Sequence, residues 1–97
     1  MMADDPQRQT ITGPFAFVPN PCTTAPCLPG MACAVEAGGR CYFLTVDGQW
    51  SDRAPVVNEW TPAIGQVISV VGRVTLRTDI RGDPFLAIEV ETMRPAR

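Results

Sequence analysis

The sequence predicts an all-β protein, a small five-stranded antiparallel barrel. Its apolar runs are short and alternate with period two, so every second side chain shares a face, as in half-buried strands. Ten prolines and eight glycines fall between those runs and mark turns and loops. The 97 residues suit one small domain, and 45% apolar content is enough for a core. An antiparallel sheet of this size tends to close into a barrel, because closure removes unpaired edges.

Residues 1 to 9 read as a flexible polar lead-in, and residues 10 to 97 as the single barrel domain. In the first strand, "TITGPFAFV", Ile11, Gly13, Phe15 and Phe17 share one face, and Pro14 marks an edge or a bulge. "PNPCTTAPCLPG" is a proline-locked loop that cannot hold regular structure.

"MACAVEA" and "RCYFLTV" flank Gly38-Gly39, a hairpin signal, since both glycines can take positive φ. A two-residue turn there sets Ala37 against Arg40, Glu36 against Cys41 and Val35 against Tyr42. That register gathers Met31, Cys33, Val35, Tyr42, Leu44 and Val46 on one apolar face.

Asp47-Gly48 closes the third strand. "QWSDRAPVVNEWTPAIG" then reads as irregular or as holding a short helix. In "QVISVVGRVTLRTD", Ile68, Val70, Gly72, Val74 and Leu76 point one way, and Ser69, Arg73, Thr75 and Arg77 the other; Gly72 is placed for a bulge. "IRGDP" turns the chain into "FLAIEVETM", with Leu86, Ile88 and Val90 inside and Glu89 and Glu91 outside. Arg81-Gly82-Asp83 spells an adhesion tripeptide, but a glycine between charged residues is also what a hairpin tip requires.

The glycine-bearing first strand "GPFAF", the central hairpin and the final pair "GQVISVVGRV…FLAIEV" together resemble the OB-fold, the oligonucleotide/oligosaccharide-binding barrel. The resemblance is one of strand pattern over roughly residues 10 to 93. It departs from the family where Pro55 and Pro62 bracket the connection that usually carries a helix. It implies a ligand on the outer face of strands 2 and 3 and the flanking loops. The residues it offers there are Phe43, Trp50 and Trp60, with Arg73 and Arg77 on the outward face of the fourth strand.

The four cysteines are spaced C-x4-C-x5-C-x7-C. This spacing lacks the paired short knuckles of a structural zinc site, and histidine is absent, so no metal is expected. No pair is C-x-x-C, which excludes a thioredoxin-like redox motif. Disulfide bonding among Cys22, Cys27 and Cys41 is the favoured reading. Cys22–Cys27 within the loop leads, and a link from the loop to Cys41 is the alternative. Cys33 faces inward as a small hydrophobe.

The net charge is −2, from eight arginines and no lysine against ten carboxylates, and no basic stripe is evident. Without histidine or lysine, a catalytic base would have to be a strongly shifted Asp, Glu, Tyr or Cys, so no enzyme and no cofactor are expected. Glu36 opposite Cys41 reads as a polar residue beside a turn. No run approaches the ~18 apolar residues of a membrane span. The acidic start "MMADDPQRQT" is not a signal peptide. Dense cysteines suit an exported bacterial protein, periplasmic or extracellular, with its leader removed; a cytoplasmic protein is the alternative.

The resulting expectation is a monomeric, non-enzymatic binding or accessory module for an unknown ligand or protein. Its rival is a single-stranded nucleic-acid binder using Phe43, Trp50, Trp60, Arg73 and Arg77.

Overall fold

The computed structural model describes residues 7–23, 25–27, 30–50, 53–57 and 59–96. Residues 1–6 of the expected lead-in lie outside these. Five strands follow in order: β1 (Arg8–Pro19), β2 (Met31–Ala37), β3 (Arg40–Thr45), β4 (Val67–Thr78) and β5 (Pro84–Pro95). β1 begins at Arg8, paired with Arg73, so Arg8 and Gln9 belong to the sheet rather than to a lead-in. No helix occurs among the described residues, and the connection after β3 is irregular, held by bridges Val46↔Gln49 and Val57↔Trp60.

The strands are ordered β1-β2-β3-β5-β4, and β4 returns to β1, so the sheet closes on itself. One pair departs from the antiparallel expectation: β3 and β5 run parallel, from Tyr42↔Leu86 to Thr45↔Glu89. Closure requires this. Strand directions that alternate around a ring return to their starting sense only if the strand number is even. A ring of five must contain at least one parallel pair.

The β2–β3 hairpin has the register its turn dictates, with Ala37↔Arg40, Glu36↔Cys41 and Val35↔Tyr42. Gly38 (φ 59°) and Gly39 (φ 76°) both occupy the left-handed region that a two-residue turn demands. A register shift falls beside Gly72, where a bulge in β4 was expected, but the extra residue is on β5: Val71 pairs with Thr92 and Gly72 with Val90, so Glu91 is skipped. At Gly72 a Cβ would overlap the Glu89 carbonyl, so only glycine lets β4 bend so close to β5. Gly13 plays the same part against the carbonyl of Glu36.

Inside the barrel, Ile11, Phe15, Cys33, Val35, Tyr42, Leu44, Ile68, Val70, Val74, Ile88 and Met93 form one buried cluster. On β1 to β4 these are alternate positions, as the period-two pattern predicts; on β5 Ile88 and Met93 differ in parity, because the strand skips Glu91 at the register shift. Phe17, Leu86 and Val90 pack against it. The alternation overreaches at the strand ends. Leu76 is 71% exposed, because β4 pairs with β1 only as far as Arg73 and beyond that has β5 alone beside it. Met31 and Val46, at the other rim, are also exposed.

Candidate functional site

The outer face is not uniformly polar. Ala32, Phe43 and Ala87 form a second buried cluster on it, with Val18, Trp50 and Phe85 packed against them. The register explains the grouping. Phe43 lies between Ala34 on β2 and Ala87 on β5, two small residues that leave room for a ring to lie over them. Phe43 points outward, as expected, but it is covered: its ring meets Phe85 edge-on at 5.7 Å and Trp50 at 6.5 Å. Trp50 and Phe85 are also edge-to-face, at 6.0 Å.

Arg77 is cross-strand from Phe85, which brings its guanidinium 5.9 Å from the Trp50 ring centroid. Its Nε donates to the hydroxyl of Thr75 at 3.3 Å. Of the five residues singled out from the sequence, the fold therefore unites Phe43, Trp50 and Arg77. Trp60 goes elsewhere, packing with Ala54 and Val57 against the interior cluster, where it caps the barrel. Arg73 stands cross-strand from Glu89 and Arg8, outside the aromatic group.

Glu89 is a tether rather than a solvated outward charge. One of its carboxylate oxygens accepts from the Thr45 hydroxyl at 2.8 Å and from the Gly48 N–H at 2.9 Å. This ties the Asp47-Gly48 turn, and so the start of the Trp50 connection, to β5. Thr45 itself is fully buried.

On the far side of the Phe43–Phe85 pair lies a cleft of about 750 Å³, lined from all five strands. The parallel β3–β5 register begins only at Tyr42↔Leu86, and the residues ahead of it, Arg40 and Cys41 on β3 and Pro84 and Phe85 on β5, line the cleft. Val18 and Pro19, at the end of β1, and Leu76, Pro84, Phe85 and Leu86, on the β4–β5 hairpin, make its lining largely apolar. Glu36, Arg40 and Cys41 are its polar members.

The loops that leave these strands meet. Cys22 and Cys27 are joined in a disulfide, and the Cys22 carbonyl accepts the Ile80 N–H at 2.9 Å from the β4–β5 turn. In that turn Asp79 Oδ1 accepts from the N–H groups of Arg81 and Asp83, both at 2.9 Å. Gly82, at φ 88°, supplies the conformation the tip needs. The Arg-Gly-Asp tripeptide is thus the body of a hairpin turn.

Cys33 and Cys41 are free thiols. Cys33 is buried, and its Sγ donates to the Arg53 carbonyl at 3.0 Å, which fastens the connection over the barrel end. Cys41 is half-buried in the cleft. Burial, and secondarily the negative charge of Glu36 opposite, raise its pKa above the usual 9.0. The thiol therefore stays protonated at neutral pH and is a poor nucleophile. Among the described residues no cluster of three or more His, Cys, Asp or Glu could hold a metal ion. No helix among them is long and apolar enough to cross a membrane.

Phe85 and the cleft escaped the sequence reading. One signal was available: in "PFLAIEV" the phenylalanine has the same parity as Glu89, an aromatic at an outward position. Against models of protein families, curated proteins and solved structures alike, the chain finds no match.

Proposed function

We propose that this barrel is of the oligonucleotide/oligosaccharide-binding type and that the chain is a non-enzymatic binding or accessory module whose ligand occupies the cleft. The strand order gives the most direct support. A ring β1-β2-β3-β5-β4 with a parallel β3–β5 closure leaves a cleft on the outer side of β2, β3 and β5. Barrels of that type bind in the same place, on the face of strands 2 and 3 and between the β1–β2 and β4–β5 loops. The lining favours an apolar ligand of low net charge, since Glu36 and Arg40 offset one another. The absence of histidine and lysine, together with the protonated state of Cys41, argues against catalysis. The loop disulfide favours an oxidising compartment, the periplasm or the exterior of a bacterial cell.

Arg77 over Trp50 favours the second reading, a single-stranded nucleic acid held by stacking and one guanidinium. Three features weigh against it. Phe43 and Phe85 meet edge to face rather than as parallel rings. Glu36 and Glu89 lie on the same outer face. The net charge of −2 repels phosphate.

A backbone-amide NMR titration separates the two. Neutral apolar fragments are expected to shift Cys41, Phe43 and Leu86 with little dependence on salt. Oligothymidylate binding that collapses as salt rises would select the nucleic-acid reading instead. Fragment shifts that avoid the cleft would overturn the proposal.

A further inference from the structure

Cys22 and Ile80, on the two loops beside the cleft, lie more than fifty positions apart in the chain, yet one loop is fastened to the other through a residue that is itself covalently fixed. At the base of the β1–β2 loop, Asn20 N–H donates to the Gly30 carbonyl at 3.0 Å. Within it, the Cys22–Cys27 bridge closes a smaller ring, with a sequence separation of 5. Among the described residues of the loop, Thr23, Ala25, Pro26, Cys27 and Gly30 are exposed, and Pro21 and Cys22 are half-buried. The Cys22–Cys27 ring restricts the backbone on either side of it, and so restricts where the Cys22 carbonyl can go. That carbonyl receives the N–H of Ile80, a residue 48% exposed, at the turn of the β4–β5 hairpin. The cleft lies among the stems of both loops, with Pro19 leading into the first and Leu76 and Pro84 flanking the second.

We propose that the Cys22–Cys27 disulfide is a redox-sensitive clasp on the cleft. Oxidised, it holds the Cys22 carbonyl against Ile80 and keeps the two loops joined; reduced, it releases the β4–β5 turn and widens the cleft. The gating half of this rests on the cleft being the binding site. The reductant is a dithiol. Its thiolate attacks one sulfur of the exposed bridge to give a mixed disulfide, and its second thiol displaces the remaining protein sulfur. Two electrons and two protons pass to the protein, the S–S bond becomes two S–H groups, and the dithiol leaves as its own disulfide. The other two cysteines do not take over the bridge's place. Cys33 is buried on the inner face and bonded to the Arg53 carbonyl, and Cys41 lies across the sheet from it in the cleft.

Hydrogen exchange read by NMR tests the clasp on the intact chain, oxidised and after dithiothreitol, with a Cys22→Ser/Cys27→Ser double variant as a second arm. Protection of the Ile80 amide is expected to fall about tenfold in both, the equivalent of one lost hydrogen bond. The amides of Val35 and Tyr42 in the β2–β3 hairpin should keep theirs. Nile red, a neutral apolar dye, is titrated into the same samples, and its affinity is expected to change by about threefold or more on reduction. Unchanged Ile80 protection would overturn the clasp, as would a loss shared by Val35 and Tyr42, which would make the bridge a staple of the whole fold. A released Ile80 with unaltered dye affinity would refute the gating. Dye that binds neither form would remove the binding reading and the gating with it, while Ile80 alone reports on the clasp.

Discussion

The interior cluster around Phe15 and the outer cluster around Phe43 are built on the same strands, but they are closed in different ways. Phe15 is 1% exposed and is enclosed by strands on every side. Phe43 is 8% exposed, and its cover is two rings, Phe85 from the neighbouring strand and Trp50 from an irregular connection. The inner cluster follows from alternation and closure. The outer one exists only because the chain returns over the sheet, and one side of it is left as a cleft. A residue held by strands on all sides cannot be relieved by local collapse, whereas one covered by a connection can.

Truncation should expose that difference first. Phe15→Ala is expected to cost about 3–5 kcal/mol, a large fraction of the stability of a domain this small. Phe43→Ala is expected to cost about 2 kcal/mol, close to the transfer value of a buried phenylalanine, because Trp50 can settle into the gap. Denaturant midpoints measure both. Equal losses would mean that the outer cluster is as closely enclosed as the core.

Gly13→Ala comes next, at about 1–3 kcal/mol by steric overlap with the Glu36 carbonyl. Gly38→Ala, where a Cβ meets open space, should lose less than this and only through its positive φ of 59°. Thermal unfolding of the pair tests the ranking. A milder effect at Gly13 would show that β1 does not need its close approach to β2 for the barrel to close.

The same contrast explains what could be read from the chain alone. Phe15, Val35, Tyr42, Ile68 and Ile88 are buried where period two puts them, and Gly38-Gly39 sets a register that the fold keeps. Leu76 obeys the parity and is exposed, because alternation fixes a face but not where the neighbouring strand stops. The cysteines divide in the same way. Cys22–Cys27 is a local bridge, the leading choice from the sequence, and Cys33 is inward by parity. The destinations of Trp50 and Trp60 were not legible. Neither lies in a named strand, and one joined the outer cluster while the other joined the inner one. Phe85 was missed because its role depends on pairing with Arg77 across a turn and on a ring contact with Phe43 on β3, far away in the chain.

Thr45→Val probes how the outer connection is tied down. The change keeps the shape and removes the hydroxyl that donates to Glu89, leaving Gly48 as the remaining donor to that oxygen. A cost of about 1 kcal/mol is expected, with loosening of the 47–50 segment in hydrogen exchange. Exchange at Gly48 that stays as slow as in the parent would show that the carboxylate holds the turn without the threonine.

The smallest effect concerns Cys41, and it asks whether the outer face is packed or wet. Burial in the cleft raises its pKa above 9.0, and the charge of Glu36 raises it further. The fold then holds this proton more tightly than the unfolded chain does. The stabilisation is therefore fully present below the ordinary thiol value and is lost as pH rises through the raised folded value. Alkylation by iodoacetamide, followed on the Cys41 peptide by mass spectrometry, should inflect above 9.0 in the native protein. Glu36→Gln should lower that inflection only in part, since burial is the larger cause. A native inflection at or below the ordinary value would mean that water reaches the thiol as freely as in the unfolded chain. The cleft wall beside Phe43 would then be open surface, and the outer cluster would shrink to the rings under Trp50.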